Sequence, residues 1–355
     1  ESFLIFRILA GAGAGAESVI IAPFLSEFVP KQRRGWFLGA LSGFFSFGFV
    51  GAALIGRFVV PLGENGWRWA QVLTFIPILM VLWWRRSLPE SPRFLVTQGR
   101  HDEAERVVGE FEQRVQQAIG QELPPVDPDA ADEEPPHKFS FGKAIRFLWS
   151  PSMWRITATT WLIWFVITFS YYGFFTWIPT LLVNRGISVT TSFTYSLFIY
   201  LAQIPGYFSA AWLNEKLDRK YTIALYLTGS ALAALWLSQA ADPVVVTWAG
   251  VTLSFFLNGT YAGLYAYTPE VFPTWLRATG VGMSSSFGRI GSITAPIIIG
   301  AFAAQWGFVG VFGMTTTVLA IGVVCTLLFA VRTAGRSLEE ITGSGTGIVR
   351  SDHAG

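Results

Sequence analysis

Two ionisable side chains lie far inside apolar runs, where charge is costly and so asks for a purpose. Arg289 follows the helix edge at Ala278 by about eleven residues, and at roughly 1.5 Å of rise per residue it falls near the middle of a bilayer. A guanidinium at that depth costs about 2.5–3.5 kcal/mol on insertion scales, so it must face a wet cavity or a carboxylate rather than lipid. Glu17 sits in the run GAGAGAES, with the next charge on that side at Glu27, about 15 Å further along a helix. Desolvation favours its neutral form and a neighbouring arginine its charged form, which is the competition a proton-coupling carboxylate needs. Arg7 opens the same run and is a second proton-coupling candidate, with a place at the outer interface as its plainer alternative. The plain alternative for Arg289 is an interhelical ion pair, with Glu17 or with an acid beyond the chain.

Around these charges the sequence offers flat polar-tipped rings. Asn258, Tyr261 and Tyr265 fall at i, i+3 and i+7 and share one helix face. Trp161, Trp164, Tyr171, Tyr172 and Trp177 crowd one segment and cannot all share a face, so some are expected at lipid or in an interfacial belt. Gln203 adds a polar group to the segment that follows. Of these, Arg289, Asn258, Tyr261, Tyr265, Tyr172, Trp164 and Gln203 are the candidates for binding a small molecule, since Tyr and Trp supply apolar area together with a donor.

A third set of charges is repeated. Glu27-x2-Pro30-x3-Arg34-Gly35 recurs as Glu270-x2-Pro273-x3-Arg277-Ala278, each time between two long apolar segments. Such a duplication implies a membrane protein of two related halves, with a binding site where they meet. Glu27, Arg34, Glu270 and Arg277, joined by Glu90, Arg93, Glu215 and Arg219, are expected to pair across helix ends and to break and reform as the halves rock. A simple stop-transfer charge explains Lys31 and Arg33 but not the repeated Glu, Pro and Arg spacing.

The elements that must position these groups are long apolar helices. The chain is 52% hydrophobic and 14% charged, with mean hydropathy +0.46, which calls for lipid as solvent. Nine segments are long enough to span, near 2–25, 36–60, 67–87, 154–183, 191–213, 221–240, 244–267, 279–304 and 308–331. Glycines such as Gly11, Gly13, Gly15, Gly39, Gly43 and Gly48 suit close helix packing, and no strand alternation supports a barrel. Positive charge concentrates at Lys31 to Arg34, Arg85 to Arg106, Lys216 to Lys220 and Arg332 to Arg336, which places those loops and the C-terminus in the cytoplasm of a plasma-membrane protein. The expected organisation is a partial N-terminal bundle over 1–88, a cytoplasmic loop over 89–150, a six-helix bundle over 151–334 and a tail over 335–355. Within the loop, 99–119 reads as an amphipathic surface helix, 122–136 as an acidic Pro-rich linker, and 139–149 as an interfacial lead-in. Cys325 stands alone, and His101, His137 and His353 are scattered, so neither metal site nor cofactor is expected. No phosphate loop or nucleophile elbow occurs, which argues against an enzyme or an ATP-driven pump; nucleic acid is not an expected partner, and a monomer is.

Local motifs add a resemblance. Arg7-x3-Gly11-x-Gly13, the run Pro89 to Leu95 (PESPRFL), Glu215 to Lys220 (EKLDRK) and Gly335 to Ile341 (GRSLEEI) resemble major facilitator superfamily motifs, the second and fourth those of sugar porters. Asp218 stands where that superfamily has glycine, and Val331 to Ala334 depart from its proline and acid. The stretches at 171–182 and 267–282 resemble the branch of bacterial metabolite/proton symporters of the niacin-permease kind and of organic ion transporters. The resemblance implies an all-α membrane protein with nine of the fold's twelve helices present, the equivalents of helices four to twelve. It also implies that arginine at 289 accompanies anionic substrates, and hence proton symport of a small organic anion such as an aromatic monocarboxylate. A sugar or polyol facilitator and a non-transporting ligand sensor are the alternatives.

Overall fold

The computed structural model describes residues 2–29, 34–87, 89–121, 123, 141–184 and 186–333. All their regular structure is helical apart from turns. The helices are α1 (Ser2–Phe28), α2 (Arg34–Phe58), α3 (Gly66–Ser87), α4 (Pro92–Thr97), α5 (His101–Ile119), α6 (Phe141–Leu148), α7 (Trp154–Asn184), α8 (Val189–Leu201), α9 (Gln203–Lys216), α10 (Arg219–Gln239), α11 (Pro243–Val271) and α12 (Thr274–Phe329).

Every apolar segment expected to span is helical, but two boundaries differ. The segment 191–213 is broken at Ala202 into α8 and α9. Pro205 explains the break, because it has no N–H for the Leu201 carbonyl and its ring crowds that group. The last two segments are joined in α12, whose 56 residues are interrupted by non-helical backbone at Gly307, φ 61° and ψ −169°. Only glycine adopts that conformation readily, so one residue replaces a connecting loop. By length and apolarity, Gly43–Leu62, Trp154–Val183, Arg219–Gln239, Pro243–Val271 and Gln305–Phe329 can each cross a bilayer.

Helix starts are set by short polar side chains, often followed by proline. Asp242 accepts hydrogen bonds from the N–H groups of Val244 and Val245 with Pro243 at the first turn of α11. Ser91 accepts from Phe94 N–H ahead of Pro92, which makes a one-turn helix, not anticipated, out of the PESPRFL run. The lead-in over 139–149 and the surface helix over 99–119 are present as α6 and α5. The acidic linker over 122–136 lies almost wholly, and the tail over 335–355 wholly, outside the described residues.

Contacts divide the chain into two compact units, Glu1–Leu38 with Arg68–His137, and Gly39–Trp67 with Lys138–Gly355. In the first, Phe28 of α1 meets Phe111 of α5 edge-on at 5.8 Å. Arg100, at the start of α5, bridges Glu90 at 3.0 Å and Glu103. Its hydrogen bond holds the Glu103 carboxyl below the usual carboxylate range. In the second unit α7, α8, α9, α10, α11 and α12 pack around one apolar core, joined by the body of α2. Small residues set the approach of α2: Gly43 lies against the Phe208 ring, and a Cβ at Gly56 would stand 2.5 Å from the Phe193 ring.

Candidate functional site

The second unit brings together most of the expected binding residues. α12 meets α7 through glycines: a Cβ at Gly291 would stand 2.7 Å from the Phe165 carbonyl oxygen, and Thr168 donates its hydroxyl to the carbonyls of Trp164 and Gly288. With Gly288 and Gly291 turned to α7, Arg289 between them projects clear of that seam. It is exposed and donates from Nη1 to the Tyr172 hydroxyl at 3.3 Å. No ion pair joins it to a described carboxylate.

Beside it α7 and α11 build an aromatic wall. Tyr261 and Tyr265 stack at 6.0 Å with 26° between their planes. Trp164 stands edge-on to Tyr265 at 5.3 Å, and Tyr171 is perpendicular to Tyr261 at 5.2 Å. Trp164 is held by its indole N–H, which donates to Thr268 Oγ1 at 3.0 Å while that hydroxyl donates to the Leu264 carbonyl. Accessibility falls with depth: Tyr265 is 45% exposed, Tyr261 7%, Gln203 1% and Asn258 0%. A carboxylate at Arg289 and Tyr172 would therefore set a planar body against Tyr265, with neutral polar groups deeper in the unit.

Trp161 and Trp177, both half-buried, pack on α12. Trp161 stacks on Phe287 at 4.8 Å, and Trp177 donates to the Pro296 carbonyl. Sequence reasoning missed the layer behind the wall. Phe49 of α2 contacts Tyr171, Phe175 and Tyr200 at 6.0, 5.7 and 5.4 Å between ring centroids. Tyr200 and Tyr207 flank the expected Gln203 at i, i+3 and i+7, a spacing that could have revealed the two tyrosines.

The repeated charge motif is partly visible. Arg219 pairs with Glu270 at 3.1 Å at one end of the second unit. Next to this pair Asp218 caps α10 through Lys220 N–H and accepts from Thr333 N–H, while Tyr267 hydroxyl accepts from Val331 N–H. The aspartate in place of the usual glycine thus ties the exit of α12 to the start of α10. Glu90 pairs with Arg100, ten residues away in the first unit, at 3.0 Å. Glu215 is exposed and Arg277 half-buried, and Arg7 is exposed on α1. The side chains of Glu17, Glu27, Arg34 and Arg93 lie outside the described residues.

Exchanging the charges of the Arg219–Glu270 pair tests its role. Arg219→Glu is expected to lower transport rate while changing melting temperature little, because a pair this accessible contributes about 0–1 kcal/mol. Arg219→Glu with Glu270→Arg is expected to restore the rate in a counterflow assay.

The second unit is thus a bundle of long apolar helices that holds an exposed arginine beside stacked tyrosines. The family profile described as "Sugar (and other) transporter" matches residues 1–343. The chain is 39% identical over 341 residues to the niacin transporter NiaP of Acinetobacter baylyi, covering 95% of this chain and 75% of that protein. It is 35% identical over 340 residues to a putative niacin/nicotinamide transporter of Bacillus subtilis, covering 96% and 75%. In fold it is similar to the major facilitator superfamily proton:xylose symporter XylE, with TM-score 0.70 at 17% identity over 96% of this chain and 73% of that one. The E. coli fucose:proton symporter FucP follows at TM-score 0.59 and 16% identity, over 91% and 75%. The chain belongs to the sugar transporter family of the major facilitator superfamily; it is a multi-pass membrane protein and a secondary transporter of a small molecule.

Proposed function

We propose that the protein moves a small organic anion, an aromatic monocarboxylate such as nicotinate, by alternating access in symport with protons. The observation that carries this reading is Arg289, exposed, unpaired with any described acid, and hydrogen-bonded to Tyr172 beside the stacked Tyr261 and Tyr265. An anion there gains a charge-assisted hydrogen bond and a flat apolar surface together. The relatives named as niacin transporters support the same chemistry. Glu17, with Arg7 on the same helix, is the proposed proton-coupling group. The end of the second unit carrying Lys216, Arg219 and Arg332 faces the cytoplasm of the plasma membrane on the positive-charge rule, which puts the C-terminus there too. The Arg219–Glu270 pair is proposed as part of the gate on that side, with Glu27, Arg34 and Arg277 its counterparts.

Uptake of labelled nicotinate, benzoate and glucose into vesicles, with and without an inward proton gradient, tests the reading. Both acids are expected to accumulate only with the gradient, and Glu17→Gln to retain exchange while losing accumulation. Uptake of glucose alone, indifferent to the gradient, would contradict it.

A further inference from the structure

Two close approaches at glycines mark neighbouring levels inside the second unit, and unpartnered polar atoms from three helices belong to the turn between them. α7 is joined to α8 by a short turn, and if successive spans alternate in direction, with α8 and α9 as one span, then α7 runs opposite to α8 and α9 while α11, two spans on, runs with them. At one level Ile199 of α8, Gly250 of α11 and Phe174 of α7 meet: a Cβ on Gly250 would lie 2.8 Å from Ile199 Cδ1 and 3.5 Å from Phe174 Cζ. A little further along, α9 and α11 touch again, a Cβ on Gly206 lying 2.4 Å from the Phe255 carbonyl oxygen.

Between these contacts, one helical turn from the first, stand Gln203, Ser254 and Ser170. Their relative exposures are 1%, 0% and 0%, and Gln203 Nε2, Ser254 Oγ and Ser170 Oγ have no hydrogen-bond partner. Asn258, one turn beyond Ser254, is 0% exposed and its Oδ1 is likewise unpartnered. Several other buried hydroxyls on these helices bond the carbonyl four residues back, as Ser196, Thr247 and Thr268 do; Ser170 and Ser254 do not, nor do Thr160 and Ser192 nearer the helix starts. The orientation of Asn258 is fixed, because its Nδ2 donates to the Ser254 carbonyl at 2.7 Å, which leaves Oδ1 as an acceptor only. Burying such groups unpaired forfeits their hydration with nothing in return, so several together call for something to bond.

The chemistry of the atoms selects the occupant. A cation is disfavoured by the Gln203 N–H donor and by the lack of a carboxylate among these four residues, and an anion by the Asn258 acceptor. A neutral hydroxyl satisfies both, accepting from Gln203 and donating to Asn258 with the two serines free to serve either way. We infer that Ser170, Gln203, Ser254 and Asn258 form a binding site for a neutral hydroxyl group, carried by a water molecule or by the substrate. The substrate source deepens the anion reading above, since Asn258 shares its helix face with Tyr261 and Tyr265; the water source does not depend on it.

The test uses Ser170→Ala with Ser254→Ala in the full chain in lipid nanodiscs, read by melting temperature and by the affinities of benzoate and 4-hydroxybenzoate. If water occupies the site, the double variant melts several degrees lower and the ratio of the two affinities stays as in the parent protein. If the substrate hydroxyl occupies it, the parent binds 4-hydroxybenzoate about 5–10-fold more tightly than benzoate and the double variant loses that preference. Both outcomes support a hydroxyl site. A melting temperature that rises or stays level, with no preference in the parent protein, overturns it. Failure of the anion reading looks different: neither acid binds the parent, while the melting comparison still reports on the site.

Discussion

Arg289→Ala is expected to weaken binding of an aromatic acid by about 10- to 150-fold, the equivalent of a charge-assisted hydrogen bond worth about 1.5–3 kcal/mol. The variant should fold normally, because the guanidinium is exposed and its described bond is a long one, 3.3 Å to the Tyr172 hydroxyl. Two groups then lose a partner at once, the substrate carboxylate and the Tyr172 hydroxyl. Arg289→Lys should retain part of the affinity, since it keeps the charge but loses the planar fork that meets two carboxylate oxygens. Tyr172→Phe should cost less than either, as it removes one neutral hydroxyl. Equilibrium binding of labelled nicotinate measures all three, and unchanged affinity in Arg289→Ala would remove the arginine from the site.

The second large effect concerns the glycines that place this arginine. At Gly291 an added methyl would come within 2.7 Å of the Phe165 carbonyl oxygen, 2.8 Å of Thr168 Oγ1 and 3.0 Å of Phe169 N. Two of those atoms are backbone, so no side chain can swing aside and α12 must move away from α7. Gly291→Ala is expected to destabilise the bundle by about 1–3 kcal/mol, the usual range for overpacking. It should also weaken anion binding, since the displacement carries Arg289 away from Tyr172 and Trp164. Gly282, in the same helix, has nothing within 4 Å of where its Cβ would go. Gly282→Ala should therefore melt and bind like the parent protein, and a matched fall in both variants would show that the loss at position 291 is not due to packing.

Much of this arrangement was legible in the residues because membrane solvation is demanding. An apolar run of about 20 residues has few folds open to it, so the expected spanning segments are helical, with 191–213 divided between α8 and α9. The i, i+3, i+7 spacing of Asn258, Tyr261 and Tyr265 reported a shared face, and the stacked tyrosine rings follow from it. Arg289 was conspicuous because lipid would not tolerate it. What escaped notice depended on contacts distant in sequence. Phe49 reads as one more apolar residue in a phenylalanine-rich run, and only the approach of α2 to α8 and α9 at Gly43 and Gly56 makes it a wall behind Tyr171 and Tyr200. The break at Ala202 was signalled by Pro205 but hidden by hydrophobicity on both sides. The pairing of Glu90 with Arg100 was likewise not announced by its motif, because charges at helix ends pair with whatever the local turn brings close.

The central claim is that the charge of Arg289 recognises an anionic passenger lying against the tyrosines. Titrating the full chain in nanodiscs with nicotinate and with nicotinamide compares two ligands of nearly the same shape that differ in charge. The account predicts that the acid binds at least about 10-fold more tightly than the amide, and that Arg289→Ala brings the two affinities together. Equal affinities in the parent protein, or a preference for the acid that survives in Arg289→Ala, would contradict it.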